Sequence, residues 1–215
     1  MPTLRQRIQA QTEDAKLPHI DYFCATLSPY VYLAGTRLEA VAAKYGATVT
    51  YKPLDVVALF GRTGGTPPAE RHPSRNEYRA QELLRQSKKV GLTFNLKPAF
   101  WPTNGAPAAY AIIAAQSAGG GDVGALVHRI CACVWAEEKD IADDAVIREC
   151  LSETGFDPDL ADKGLMAGAE TYANNLEEAV TRGVFGTPFY ITDTDQRFWG
   201  QDRIEDLDAH LAGNL

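Results

Sequence analysis

The feature that most constrains the fold is a strand, a helix and a second strand that follow one another near the N-terminus. Residues 19–25, HIDYFCA, form an apolar run of strand length. The next segment has helical spacing, with Tyr32 and Leu38 on roughly one face, and it ends at Gly46, a typical helix stop. Residues 47–53, ATVTYKP, predict a second strand because they are rich in β-branched and aromatic side chains. A helix of about 16 residues between two strands makes a βαβ unit.

The rest of the chain separates into a helical middle and a final group of strands. Residues 61–73 are a loop rich in glycine and proline, and residues 74–182 carry mostly helical signals. PFYIT and QRFWG flank the turn DTD and predict a β-hairpin. The segment DRIEDLDAHL predicts a closing helix, with Asp202 as its N-cap and Glu205 at the spacing of a capping box.

This order of elements predicts an α/β protein: a thioredoxin-like domain with an all-helical domain inserted after the βαβ unit. We place the thioredoxin-like domain in residues 19–60 and 183–215. The loop and helical insertion occupy residues 61–182. Residues 1–18 are polar and predict a short helical extension at the N-terminus.

The charge balance disfavours nucleic acid and anionic membranes as partners. Among 215 residues, 28 are acidic and 21 are basic, and the formal net charge is -7 without a lysine or arginine cluster. The N-terminus lacks an apolar core of signal-peptide length, and no run approaches the roughly 20 apolar residues of a membrane span. We therefore expect a cytoplasmic protein.

The cysteines and histidines have neither a metal-binding nor a disulfide pattern. Cys24, Cys131, Cys133 and Cys150 include no Cys-x-x-Cys pair, and the four histidines form no cluster with metal spacing. We expect buried thiols in a reducing compartment and no metal site.

The start of the first helix carries a serine where thioredoxin-like proteins carry a reactive cysteine. Their Cys-x-x-Cys pair occupies this turn and faces a cis-proline from a later loop. Here Ser28 and Val31 stand at the two cysteine positions, and Thr187-Pro188 precedes the hairpin. Thiol–disulfide exchange needs a thiolate and a resolving thiol, so these positions exclude that chemistry. A lone Cys24 on the strand is a poor substitute.

Six short segments then carry a resemblance to a known family. In chain order they are DYFCATLSPYVYLA, GRTGGTPPA, WPTN, VWAEEKDI, GVFGTP and FWGQDR. In this order and spacing, the chain resembles the 2-hydroxychromene-2-carboxylate isomerases and the kappa-class glutathione transferases over nearly its whole length. The resemblance implies glutathione as cofactor, a small aromatic carboxylate as substrate and a homodimeric assembly.

Two roles for Ser28 follow, and they are compatible. Serine at the N-cap with proline at N1 is a common helix opening. The resemblance implies in addition that the Ser28 hydroxyl donates a hydrogen bond to the glutathione sulfur. That bond, with the positive end of the helix dipole, would lower the thiol pKa from about 8.5 toward neutrality.

The resemblance also assigns the two ends of glutathione. A cis peptide bond before Pro188 would turn the backbone of Thr187 toward the cysteinyl part of the ligand. Gln201 and Asp202 would bind the γ-glutamyl end, and the alternative for Asp202 is a purely structural N-cap.

The remaining candidates lie in the loop and helical insertion, except for Tyr32 in the first helix. The loop at 61–73 lacks the ending of a phosphate-binding loop. Gly65 replaces the usual asparagine of the family, so one contact to glutathione is missing. Arg75 falls where the family has a basic residue for an anionic group, or it is an exposed helix arginine. Asn104 either caps a helix or faces the active site. Trp101 and Tyr32 are candidate walls of a substrate pocket, although aromatic residues there are more often core.

These assignments predict a glutathione-dependent isomerase, in which a thiolate adds reversibly to a conjugated carbon and the bond rotates before elimination. The first alternative is a kappa-type glutathione transferase or peroxidase, which would consume glutathione. The second is a binding module that kept the fold and lost the chemistry, and Gly65 is the residue that favours it.

Overall fold

The computed structural model describes residues 17–215, and the predicted N-terminal helix therefore falls almost wholly outside the described residues. A mixed sheet of four strands forms the centre, in the order β2-β1-β3-β4. The strands are β1 (His19–Cys24), β2 (Thr48–Pro53), β3 (Phe189–Thr192) and β4 (Arg197–Trp199). The β1–β2 pair is parallel, whereas β3 is antiparallel to β1 and forms a hairpin with β4. The predicted βαβ unit and hairpin are confirmed.

The connection between β1 and β2 is two helices rather than the single predicted helix. Helix α1 (Pro29–Ala34) ends after six residues, and α2 (Arg37–Tyr45) follows. Gly35 separates them with φ of 61°, a left-handed value that glycine adopts without a steric penalty. The helix that Ser28 caps is therefore short, and its dipole is correspondingly weaker.

The inserted residues between β2 and β3 are helical, which confirms the predicted fold class. The helices of this part are α3 (Val56–Thr63), α4 (Pro73–Val90), α5 (Ala106–Ala118), α6 (Val123–Trp135), α7 (Asp144–Glu153), α8 (Leu160–Lys163) and α9 (Leu165–Thr181). Helix α3 was not expected, and it moves the start of the predicted loop from Gly61 to Gly64. Asp55 caps α3, because its carboxylate accepts from the backbone N–H groups of Val57 and Ala58.

The closing helix α10 (Ile204–Leu211) is present, but its predicted cap is wrong. Arg203 occupies the N-cap position, and no side chain accepts a hydrogen bond there. Asp202 lies one residue too early to cap and contacts the Arg203 guanidinium at 3.3 Å instead.

The sheet has a buried apolar layer on each face. One layer joins alternate residues of β1 to α1, α2 and the insertion helices α5–α7, and it includes Tyr22, Leu38 and Ile112. The other packs Phe23 and Phe189 against α3 and α9. Alternate residues of a strand face opposite sides, so β1 supplies both layers.

A row of three buried tyrosines crosses the sheet. Tyr22 is in register with Tyr51 on β2 and Tyr190 on β3, and the ring centroids are 5.7 and 5.1 Å away. The Tyr51 hydroxyl donates to Glu39 Oε1 at 2.8 Å. Burial raises the pKa of Glu39, and the hydrogen bond from Tyr51 only partly opposes that shift.

Residues 17–215 contain neither a candidate membrane span nor a cluster of metal ligands. None of their helices combines the length and apolar character that crossing a bilayer demands. Nor do three or more of their His, Cys, Asp and Glu side chains converge as metal ligands.

Candidate active site

Ser28 lies at the junction of β1 and α1, where its hydroxyl has two backbone partners. Its extended backbone (φ -82°, ψ 121°) and the proline at N1 are typical of a helix N-cap. The hydroxyl oxygen accepts from the N–H of Val31 at 3.3 Å and donates to the carbonyl oxygen of Thr187 at 3.4 Å. The second distance is long for a hydroxyl donor, so this bond is weak and readily exchanged.

The Thr187-Pro188 peptide bond is cis, as predicted. Thr187 is only 7% exposed, and its Oγ1 atom is buried without a hydrogen-bond partner among the described residues. Buried hydroxyls normally have a partner, so Thr187 Oγ1 is an unsatisfied polar atom on the residue whose carbonyl accepts from Ser28. The Pro188 carbonyl accepts from the N–H of Gly200 at 3.0 Å, which ties the next candidate segment to this loop.

The Gln201 side chain is committed to the protein itself. It is 3% exposed, and its Oε1 accepts from the Arg37 guanidinium at 2.5 Å. Its Nε2 donates to Gln86 Oε1 at 3.0 Å, and its backbone carbonyl accepts a further bond from Arg37. The side chain therefore fixes the loop to α2 through Arg37 and to α4 through Gln86. Sequence reasoning missed Arg37, because nothing local marks its partner 164 residues away.

Asp202 has the opposite environment. Its side chain is 47% exposed, and its carboxylate contacts the Arg203 guanidinium at 3.3 Å in solvent. It sits in the turn that also holds Gln201, beside the strand that ends at Trp199. An exposed carboxylate here is free to take a ligand ammonium group by exchanging an existing surface contact of small energy.

The Gly65 position has no room for the asparagine of the resembled family. A Cβ atom on Gly65 would lie 2.4 Å from Cδ1 and 2.9 Å from Cγ of Phe60. The Arg71 guanidinium lies 5.7 Å from the centroid of the same ring and donates to the carbonyl of Thr66 at 2.7 Å. The glycine is therefore a packing requirement of this loop against α3.

Three arginines spaced four residues apart lie on and before α4, and sequence reasoning named only one. Arg75 is exposed, whereas Arg71 and Arg79 are half-buried. None of the three contacts a carboxylate within 4 Å among the described residues, although the protein carries net negative charge. Burial lowers the pKa of Arg79, and the Arg79 charge in turn opposes the rise that burial causes in the pKa of Tyr30. Tyr30 lies two residues after Ser28 on α1, and α1 packs against α4, the helix that carries Arg79. Arg79 is therefore on a helix next to the candidate site. The spacing of four residues between these arginines, which would place them on one side of a helix, was the feature of the sequence that could have indicated Arg71 and Arg79.

The WPTN segment reaches the neighbourhood of Ser28. The Trp101 indole donates to the carbonyl of Leu27 at 3.3 Å, and the Thr26 hydroxyl donates to the carbonyl of Gly105 at 3.2 Å. Asn104 is exposed, and its Oδ1 accepts from the N–H of Ala106 at 3.2 Å. Gly105 holds the N-cap position of α5, so Asn104 contacts the start of this helix from one residue before the cap.

Tyr32 packs in the core rather than beside the Ser28 hydroxyl. It is 3% exposed, its hydroxyl donates to the carbonyl of Thr93 at 2.7 Å, and its ring stacks on His128 with centroids 5.4 Å apart. A hydroxyl that is hydrogen-bonded to a backbone carbonyl is typical of a buried tyrosine.

Cys24 cannot replace the missing catalytic cysteine. It is buried on β1, and burial raises the pKa of its thiol well above the ordinary value. A neutral buried thiol is a poor nucleophile, so disulfide exchange through Cys24 is excluded.

Comparisons of sequence agree with this geometry. A family model described as a DSBA-like thioredoxin domain matches residues 19–212. The chain is 30% identical over 197 residues to a 2-hydroxychromene-2-carboxylate isomerase of Sphingobium xenophagum, which covers 89% of this chain and 97% of that relative. It is 25% identical to glutathione S-transferase kappa 1 of Caenorhabditis elegans, with 93% and 91% covered.

Solved structures support the same fold. A 2-hydroxychromene-2-carboxylate isomerase structure matches with a TM-score of 0.72 at 24% identity, covering 91% of this chain and 95% of that one. The cytosolic disulfide reductase DsbM of Pseudomonas aeruginosa, solved with GSH, matches with a TM-score of 0.67 at 19% identity, covering 91% and 98%. The resemblance carried by the six segments is confirmed. The chain belongs to the family of DSBA-like thioredoxin domains, in the group that includes the 2-hydroxychromene-2-carboxylate isomerases.

Proposed function

We propose that this protein is a glutathione-dependent isomerase that acts on 2-hydroxychromene-2-carboxylate or a similar intermediate of aromatic degradation. The observation that carries the proposal is the buried pairing of the Ser28 hydroxyl with the Thr187 carbonyl at 3.4 Å. A hydroxyl in that place can hold a sulfur atom, but it cannot exchange disulfides. The isomerases among the relatives supply the reaction type.

The residues around Ser28 fit the chemistry of glutathione. Thr187 offers a backbone carbonyl on a weak bond and a buried hydroxyl without a described partner, which suit a peptide-like ligand. The exposed Asp202 carboxylate suits the ammonium group of the γ-glutamyl end. When bound, glutathione would supply a thiolate that adds reversibly to a conjugated carbon and so permits rotation about the former double bond.

The Ser28 hydroxyl has a positioning and electrostatic role in this proposal. It donates its proton toward the ligand sulfur instead of the Thr187 carbonyl, and it keeps the N–H of Val31 as its own donor. A hydrogen bond to the charged form lowers a thiol pKa, so more of the ligand is ionised at neutral pH. Because the capped helix α1 has only six residues, the hydroxyl matters more than the dipole.

The substrate carboxylate is assigned to Arg79, with Arg75 at the rim. Arg79 is half-buried beside Tyr30 without a carboxylate partner among the described residues, so it gains most from an anionic ligand. Arg75 is exposed on the first turn of α4, where water screens its charge. Trp101, held to the backbone of Leu27, supplies an aromatic edge near the Ser28 turn.

A kappa-type transferase is the second candidate, and the similarity to the Caenorhabditis elegans transferase favours it. The two functions differ in what happens to glutathione. An isomerase regenerates it after each turnover, whereas a transferase leaves it attached to the electrophile.

The test is an ultraviolet absorbance time course with 2-hydroxychromene-2-carboxylate, with and without glutathione, together with a free-thiol assay. The expected result is conversion that needs glutathione and leaves its concentration unchanged. Consumption of glutathione with 1-chloro-2,4-dinitrobenzene, and no conversion of the chromene acid, would establish the transferase instead. Calorimetry that detects no glutathione binding at millimolar concentration would overturn both and favour a binding module.

A further inference from the structure

A pair of thiols lies in the helical insertion, apart from the Ser28 site. The Sγ atoms of Cys133 on α6 and Cys150 on α7 are 3.5 Å apart, and both residues are fully buried. The chain has four free cysteines, and the other two are separate: Cys24 is on β1, and the Cys131 thiol faces the backbone carbonyl of Thr26. The close pair brings together a nucleophile and a resolving thiol that the Ser28 site lacks.

The pair has a built-in cation. Nη1 of Arg129, one helical turn before Cys133, donates to the Cys133 Sγ atom at 3.1 Å. The Arg129 side chain is 18% exposed, so it connects the buried sulfur to the protein surface. A thiolate next to an arginine is the reactive form of a cysteine.

Other charges face the same place, and their signs are mixed. Glu137, Glu149 and Glu153 hold the Arg129 guanidinium, and Lys139 bridges Glu137 and Glu149. The carboxylates neutralise part of the cationic field, but they also fix the guanidinium in position. Either thiol could donate in the contact between the two Sγ atoms. Because an Arg129 N–H already donates to Cys133 Sγ, we take Cys150 as the donor. That hydrogen bond lowers the pKa of Cys133, with Arg129 and Lys139 acting in the same direction and burial opposing them.

The remaining thiols have the opposite environment. Burial raises the pKa of both Cys24 and Cys131, and neither contacts a cation among the described residues. The same hydrogen bond that favours the Cys133 thiolate raises the pKa of Cys150, which therefore keeps its proton. The two sulfurs of the pair are thus differentiated into an attacking thiolate and a protonated partner.

We propose that Cys133 and Cys150 form an oxidisable dithiol that reacts with hydrogen peroxide to give a disulfide between α6 and α7. The Cys133 thiolate attacks one peroxide oxygen, so an S–O bond forms, the O–O bond breaks and water leaves after protonation. Cys150 sulfur then attacks the sulfenic sulfur, the S–O bond breaks, and the leaving hydroxide takes the Cys150 proton as a second water. Two thiols are oxidised and one peroxide is reduced to two waters, so the reaction balances.

The test treats the reduced full-length protein with hydrogen peroxide, alkylates the remaining thiols in denaturant and maps the peptides by mass spectrometry. The expected product joins the peptides of Cys133 and Cys150, while Cys24 and Cys131 are recovered alkylated. Recovery of all four thiols at a peroxide dose that oxidises free glutathione would overturn the proposal. Oxidation spread equally over all four cysteines would also overturn it.

Two variants separate pairing from general oxidation. Cys150→Ala removes the resolving thiol, so dimedone should trap a sulfenic acid on Cys133. Cys131→Ala is the matched control, two residues away on the same helix, and the cross-linked peptide should persist. Arg129→Lys tests the cation, because oxidation should slow about tenfold for each unit by which the Cys133 pKa rises. An unchanged rate in Arg129→Lys, or a dimedone adduct on another cysteine but not on Cys133 in Cys150→Ala, would contradict the assigned roles.

Discussion

The Ser28 hydroxyl and the Thr187 carbonyl, 159 residues apart in sequence, are hydrogen-bonded to each other across the candidate site. A bound thiol peptide would need the hydroxyl as a donor to its sulfur and the carbonyl as an acceptor for its backbone N–H. In the free protein the two groups are bonded to each other instead. The bond is long at 3.4 Å, so it costs little to exchange. A ligand that binds both groups would therefore replace one weak contact.

Ser28→Ala should remove most of the glutathione-dependent activity and only a little stability. Loss of one hydrogen-bond donor to a developing or bound anion typically lowers kcat about a hundredfold, and loss of an N-cap costs about 1 kcal/mol of unfolding free energy. Ser28→Thr keeps the hydroxyl and should retain the lower thiol pKa. The measurement is kcat against pH for both variants, with urea unfolding alongside. Equal activity in wild type and Ser28→Ala would remove Ser28 from the mechanism.

Substitution of Gln201 should affect the free energy of unfolding, whereas substitution of Asp202 should affect glutathione binding. Gln201→Ala leaves the Arg37 guanidinium and Gln86 without their buried partner, so it should lower the unfolding free energy by about 1–3 kcal/mol. Asp202→Ala removes an exposed carboxylate and should leave stability nearly unchanged while weakening glutathione binding. Urea unfolding and calorimetry on the same two proteins give the comparison. Loss of stability in Asp202→Ala, with intact binding, would reverse the assignment.

Gly65→Asn, which restores the residue usual in the resembled family, should destabilise this protein. The new Cβ would meet the Phe60 ring at 2.4 Å, and overpacking of this kind typically costs about 1–3 kcal/mol. Phe60→Ala in the same chain should relieve the clash, so the two changes should be strongly non-additive. Thermal unfolding of the two single variants and the double variant forms the cycle. Simple additivity would show that the loop moves freely away from Phe60.

Arg79→Leu should raise KM for an anionic aromatic substrate by about tenfold or more, because one hydrogen-bonded charge pair is lost. Arg75→Leu, the matched change on the exposed turn, should have a much smaller effect. A neutral electrophile such as 1-chloro-2,4-dinitrobenzene should not distinguish wild type from Arg79→Leu. Steady-state kinetics with both substrates decides it, and equal effects of the two substitutions would return the role to Arg75.

Stability should fall with rising pH through Glu39. Burial raises its pKa in the folded protein, so the fold holds this proton more tightly than the unfolded chain does. Its contribution is complete below the ordinary glutamate pKa and is lost as pH rises through the raised folded-state pKa. Glu39→Gln should remove this part of the pH dependence and gain stability relative to wild type as pH increases.

Tyr51→Phe tests the titration of Glu39 by removing its hydrogen-bond donor. It removes a hydrogen bond that lowers the Glu39 pKa, so it should steepen the loss of stability with pH. The measurement is unfolding free energy by urea titration at several pH values. Parallel curves for wild type and both variants would exclude Glu39 as the titrating group.

Local patterns were sufficient where the backbone follows short-range preferences. The βαβ unit, the hairpin and the helix end at Gly46 were predictable from periodicity, β-branched content and glycine. The break at Gly35 was not, because an isolated glycine is tolerated within a helix and only the surrounding packing selects its left-handed conformation. Helix α3 was missed because its apolar run is short and adjoins a loop.

Residue order and identity were enough to predict the fold class, the serine at a reactive-cysteine position and the loop that ends in Thr187-Pro188. Packing selected which polar groups come into contact. In the folded protein, Gln201 is hydrogen-bonded to Arg37, whereas Asp202 is exposed to solvent. Arg79 lies near Tyr30, and the free thiols of Cys133 and Cys150 are in contact. The physical reason is that a residue's backbone preference depends on its chain neighbours. The partner of a buried side chain depends on elements that only packing brings within hydrogen-bond distance.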